Sequence, residues 1–161
     1  MVKVGAISDT HAKSLNELPK DALKILSDVD LIIHAGDYTH VSLLEELRSM
    51  GEFKGVFGNM DPPEVRKALP PLLKIEIGRF EIGVIHPPEG GPPFNIERRV
   101  RDKFSKPKVI IFGHTHMARK KMIDDILFIN PGSATGAFPA VHETMCILDV
   151  GNTINARIVQ F

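Results

Sequence analysis

Four short apolar runs in this chain break off at the same kind of residue. "VGAIS" is followed by Asp9-Thr10-His11 and "LIIHA" by Gly36-Asp37. "GVF" is followed by Gly58-Asn59-Met60-Asp61, and "VIIF" by Gly113-His114-Thr115-His116. A fifth run, "EIGVI", ends at His86. Short β-branched runs bounded by Gly and Asp read as buried strands. In α/β sheets the carboxyl ends of the strands form the edge where ligands bind. Strand ends scattered from residue 9 to residue 116 can therefore gather His, Asp and Asn in one crevice. Glycine precedes three of these groups, where it lets side chains approach the backbone closely.

The segments between the runs have the matching rhythm. Strands are expected over 2–8, 30–36 and 53–59, alternating with helical spacing at Leu15–Leu26, 40–50 and 62–69. This βαβαβ order predicts a mainly parallel sheet covered by helices. Next, 72–86 reads as two strands joined by a tight turn at Gly78-Arg79. A helix is expected in 93–104, with Ile96, Val100 and Phe104 on one face, and a strand in 108–113. Antiparallel strands are expected at 117–123, 126–130, 143–149 and 153–160. With no repeat or linker, residues 1–161 form one α/β domain: two sheets packed together with helices outside.

The pair His114 and His116 poses a local problem. If extended geometry continued past Ile110–Phe112, both imidazoles would point to the same side. That fits a surface accident, two core histidines or half of a metal site.

Lys plus Arg equals Asp plus Glu at 20 each, so no net charge points to nucleic acid or a membrane. The single cysteine, Cys146 in "TMCILDV", excludes an internal disulfide and a cysteine-based metal cluster, and reads as inert strand core. The start "MVKVGAISDT" has no charged leader before a long apolar run. No stretch approaches the roughly 20 apolar residues that span a bilayer. The expectation is a soluble, cytoplasmic protein.

Asp9-x-His11, Gly36-Asp37, Gly58-Asn59-x-Asp61, His86 and Gly113-His114-x-His116 together resemble the calcineurin-like metallophosphoesterases. The likeness is to their small single-domain phosphodiesterase branch in bacteria and archaea. It runs from Val2 to about Ser133, where "INPGS" also looks like a family segment. The resemblance implies a two-layer β-sandwich of mixed sheets flanked by helices, with a two-metal site at one edge. It implies one ion held by Asp9, His11, Asp37 and His116, and another by Asp37, Asn59, His86 and His114. Asp37 would bridge them, and Asp37, Asn59 and His86 would share in catalysis.

The chemistry agrees with that allocation. A phosphodiester repels nucleophiles, and two divalent ions about 3.5–4 Å apart can neutralise it and clamp the attacking and leaving oxygens. A water bridging them becomes hydroxide near neutral pH, ready for in-line attack on phosphorus. Imidazole, carboxylate and one amide oxygen without thiolate suit Mn, Ni, Fe, Co or Zn.

Two departures qualify the resemblance. Many two-metal relatives carry histidine after Gly-Asn and use it to protonate the leaving group, but here that position is Met60, which cannot donate. Asp61 remains to orient a ligand or a water. Good leaving groups such as aryl esters should then be cleaved faster than alkyl ones. After His86, where glycine is common, the chain reads "HPPEGGPP", a rigid connector that could shape access. The remaining histidines read as bland: His34 a partly buried strand residue with a partner, His40 flanking a helix, and His142 outside any motif.

The leading expectation is a metal-dependent phosphodiesterase acting on a small phosphoester. A retromer subunit shares the implied fold and works as a protein scaffold, the alternative from another class. A nuclease is the third reading, disfavoured by the small size, neutral charge and lack of an added recognition domain, while the basic run 97–108 reads as a solvated helix face by its apolar stripe. A homodimer is left open.

Overall fold

A computed structural model describes residues 1–161. Two five-stranded mixed sheets pack face to face. The first has the order β10-β9-β1-β2-β3, built from β1 (Val2–Ile7), β2 (Leu31–His34), β3 (Phe53–Gly55), β9 (Thr144–Val150) and β10 (Ile154–Gln160). The second runs β4-β5-β6-β8-β7, from β4 (Leu72–Ile77), β5 (Phe80–Ile85), β6 (Val109–Phe112), β7 (Arg119–Ile123) and β8 (Ile126–Asn130).

Alternation along each strand assigns its faces. Val4 and Ala6 of β1, Ile33 of β2, Ile82 and Val84 of β5, and Ile111 of β6 fill the space between the sheets. Ile7 and Ile32 point the other way, onto α1 (Lys20–Leu26), α2 (Val41–Met50) and α3 (Pro63–Ala68). Ile85, Ile110 and Phe112 meet α4 (Ile96–Arg101) on the far side of the second sheet. Each such fully buried Ile, Leu or Phe contributes about 1.5–3 kcal/mol of transfer free energy. The sandwich flanked by helices thus follows from the sequence pattern. No helix is long and apolar enough to cross a membrane.

Several elements depart from expectation. Pro19 stops a continuous helix over 15–26, leaving a 3-10 turn at Leu15–Glu17 ahead of α1. Helix α4 covers only Ile96–Arg101, because its N-cap Asn95 is left-handed with φ 55°. Strand β8 is not purely antiparallel: it pairs parallel with β6 and antiparallel with β7. Cys146 lies on β9, buried, and burial pushes its thiol up to about 12, as inert core requires.

What positions the site is direction. Strands β1, β2 and β3 run parallel, as do β5 and β6, and the functional groups follow their carboxyl ends.

Candidate metal centre

Extended geometry ends with Phe112, so His114 and His116 do not share a side as a continued strand would require. Their backbones turn left-handed, at φ 95° and 60°. Consequently the His116 ring lies beside His11, centroids 4.9 Å apart, whereas the His114 ring meets His86 edge-on at 5.6 Å. Of nine non-glycine residues with left-handed φ, six lie on these loops: Asp9, His11, Asp37, Thr39, His114 and His116. Concentrated backbone strain of this kind is a habit of functional sites.

Ligand-type atoms of Asp9, His11, Asp37 and His116 all lie within 4.8 Å of one another. Asp37 Oδ2 stands 3.6 Å from His11 Nε2 on one side and 3.4 Å from His86 Nε2 on the other. Asn59 Oδ1 lies 2.9 Å from His86 Nε2 and 3.2 Å from His114 Nδ1. The seven residues expected to hold ions are therefore brought to one edge, with Asp37 near both His11 and His86.

The rings are fixed from behind. His86 Nδ1 faces the carbonyl of Ala35 at 2.9 Å, His114 Nε2 that of Gly91 at 2.7 Å, and His116 Nδ1 that of Ala137 at 2.9 Å. A carbonyl only accepts, so each of these nitrogens carries the proton. The other ring nitrogens of His116 and His114 face inward: His116 Nε2 stands 3.4 Å from Asp9 Oδ1, and His114 Nδ1 3.2 Å from Asn59 Oδ1. His11 Nε2 is buried with no hydrogen-bond partner. An orphaned buried nitrogen is costly, and a cation beside it removes the cost. The residues fit a divalent-metal site.

Electrostatics shows what balances without a cation. Burial pushes the Asp9 carboxyl up and the His11 imidazole down. Burial also opposes ionisation of Asp37, but the hydrogen bond and charge of His86 and the Met60 N–H hold it below its usual range. Burial disfavours charge on His86, yet Asp37 and Asp9 outweigh it and push His86 up to about 9. A proton on Nε2 thus occupies the position that a metal ligand must vacate.

The glycines act sterically. A Cβ on Gly113 would lie 2.6 Å from the Ala35 carbonyl oxygen and 2.7 Å from His86 Nδ1. One on Gly58 would collide with the Asp37 carboxylate.

Asp61 does not turn towards the ligand atoms. Its Oδ2 accepts from the N–H groups of Asp37 (3.0 Å) and Gly58 (2.8 Å), and its Oδ1 from Thr39 (2.8 Å). Both oxygens accept from backbone donors, so it orients the main chain of Asp37. His34 is fully buried, not partly: Nδ1 accepts from the Gly36 N–H and Nε2 donates to Thr10 Oγ1. His40 precedes α2 without a side-chain cap bond.

Three supports escaped sequence reasoning. Ser133 Oγ donates to the Asp9 carbonyl at 2.7 Å, which explains why "INPGS" belongs with the site. Arg66 donates to the carbonyls of Asn59 and Asp61, at 2.7 and 2.8 Å, and clasps that loop. Arg99 donates to the carbonyls of Pro92 and Gly90, pinning the "HPPEGGPP" connector over His114. Arginines four or more residues from a motif carry no local signal of such a role.

A family model for the calcineurin-like phosphoesterase superfamily domain matches residues 2–153. A probable metallophosphoesterase of Methanocaldococcus jannaschii is 39% identical over 82% of this chain and 68% of its own. The vacuolar protein sorting-associated protein 29 of Schizosaccharomyces pombe is 31% identical over 81% of this chain and 71% of its own. Among solved structures, an archaeal phosphodiesterase superposes with a TM-score of 0.77 at 26% identity, covering 99% of both chains.

Proposed function

Because this chain belongs to the calcineurin-like phosphoesterase superfamily, we propose that it is a binuclear-metal phosphodiesterase. One ion would be held by Asp9, His11, Asp37 and His116, the other by Asp37, Asn59, His86 and His114. The observation that carries this reading is the set of inward-facing ring nitrogens and carboxylate oxygens with His11 Nε2 orphaned among them. Imidazole and carboxylate donors without thiolate favour Mn, Ni, Fe, Co or Zn. Two divalent ions held there would supply the positive charge that a phosphodiester needs before nucleophilic attack at phosphorus.

The chain's own residues do the rest. The carbonyls of Ala35, Gly91 and Ala137 set which nitrogen each histidine presents, as partners behind metal ligands commonly do. Asp61 and Ser133 fix the main chain of Asp37 and Asp9, so the carboxylates need no reorganisation as charge develops at phosphorus. Met60, 61% exposed at the lip, leaves the departing oxygen without a side-chain acid.

The test strips the protein with chelator, reloads single divalent ions, and assays diesters, monoesters and nucleic acids. Activity restored by metal, highest on diesters and abolished by Asp37→Ala, is expected. Full activity in the stripped protein or in that variant overturns the reading.

A protein-interaction scaffold is the second reading, favoured by the exposure of Phe138 (92%) and Val141 (84%) next to the site. It predicts that the reloaded protein binds metal yet hydrolyses no ester.

A further inference from the structure

Exposed apolar side chains are concentrated around the metal centre. Met60 adjoins Asn59, Met117 follows His116, and Phe138 follows Ala137, whose carbonyl accepts from His116. Met117 also forms part of a hollow of about 280 Å³ that opens directly beside His116. Met117, Ala118, Val141 and Ile158 supply its apolar wall, with His142 on the polar side. Met117 is 65% exposed and Val141 84%, a cost in water that covering them would recover. The 137–142 loop that carries Val141 is tied to the centre by the Ser133 hydroxyl, which accepts from the Ala137 N–H at 2.9 Å while donating to Asp9. The hollow is thus built onto the metal site.

We propose that this hollow is a subsite for an aromatic ester group of the substrate, so that the preferred substrates are aryl phosphodiesters. The proposal rests on the phosphodiesterase reading and names the class of substrate. Two features converge on it. The hollow is lined by His116, one of the residues proposed to hold an ion, which sets it beside the ester groups of a diester bound at the centre. Met60 provides no proton, which suits a leaving group stable as an anion, such as a phenolate. Hydrolysis consumes one water and breaks the P–O bond to the apolar group. It forms a new P–OH bond, and the departing oxyanion takes its proton from solvent.

The test separates binding from turnover. Zinc-loaded protein with labelled methionine methyls is titrated with phenylphosphonate and methylphosphonate and followed by NMR. Phenylphosphonate should bind about tenfold more tightly and shift the Met117 methyl, as burial of one ring predicts. In Val141→Ser and Met117→Gln the affinity ratio should fall towards one; both positions line the hollow and are exposed, so folding is preserved. Equal affinities in the wild type, or a ratio unchanged in both variants, overturn the subsite. Turnover of diphenyl phosphate should then slow in Val141→Ser, since its ring uses the hollow. If no ester is turned over, the phosphodiesterase reading fails while the phosphonate ratio still decides the subsite.

Discussion

Nε2 of His86 stands 3.4 Å from Oδ2 of Asp37, and neither side chain reaches solvent. With Nδ1 committed to the Ala35 carbonyl, the ring holds a proton at Nε2 and is pushed up to about 9, against a burial penalty. A folded value raised above the unfolded one, about 6.5, stabilises the protonated state. In chelator-stripped protein that stability is fully present below about 6.5 and is lost as pH rises to about 9. Metal must displace the same proton, so metal affinity should climb through this window and level off above it. Calorimetric titration in two buffers of different ionisation heat should show proton release on metal binding at pH 7.5. Absence of release sinks this account.

Asp61 should behave as a positioning residue. Asp61→Ala strands the N–H groups of Asp37, Gly58 and Thr39, two of them buried. A cost of roughly 2–4 kcal/mol in unfolding free energy is expected from unsatisfied donors. Metal affinity should fall about tenfold, as when a partner behind a ligand is lost. Asp61→Asn, which keeps one acceptor, should lie between wild type and Ala in both urea denaturation and metal titration. Loss of turnover with stability and metal affinity intact would instead make Asp61 a proton carrier.

The strand ends were readable because short continuous apolar runs and abrupt polar stops are local signals, and β1, β2, β5 and β6 carry them clearly. The paths after those stops were not. His114 and His116 diverge because their backbones turn left-handed, and the His114 N–H is held by both oxygens of Asp9, 105 residues away. The role of Asp61 was hidden for the same reason: two of its partners are main-chain amides 22 and 24 residues distant. Patterning shows which side chains face a core; it does not show which backbone donors a carboxylate will meet. The shortened α4 was hidden differently, by a left-handed Asn95 that apolar spacing does not register.

Gly113→Ala should damage the centre through sterics alone. The added methyl would press on the Ala35 carbonyl and His86 Nδ1, the pair that fixes the tautomer of His86. Gly51→Ala is the matched control, since nothing lies within 4 Å of a Cβ there. Metal content after reloading should drop sharply in the first variant and stay at wild-type level in the second. Equal metal content in both would show that the close approach at Gly113 is not needed to hold His86.

Met60 sets the last expectation. Its N–H donates to Asp37 Oδ1 at 2.8 Å, so the backbone at this position is held at the centre while the side chain faces solvent. With no acid there, the departing oxygen carries its full developing charge, and rate should fall steeply as leaving-group pKa rises. A series of aryl to alkyl methyl phosphodiesters measures that slope, provided chemistry limits turnover. Met60→His places an imidazole at the lip, with a pKa near 6.5 that permits donation at neutral pH. General acid assistance of this kind typically supplies 10²–10⁴-fold. The gain should be largest for alkyl esters and smallest for nitrophenyl ones, flattening the slope, and should vanish as pH rises above about 7.5 and the imidazole loses its proton. A wild-type rate independent of leaving-group pKa would mean that bond cleavage is assisted by a group other than residue 60, or is not the slow step.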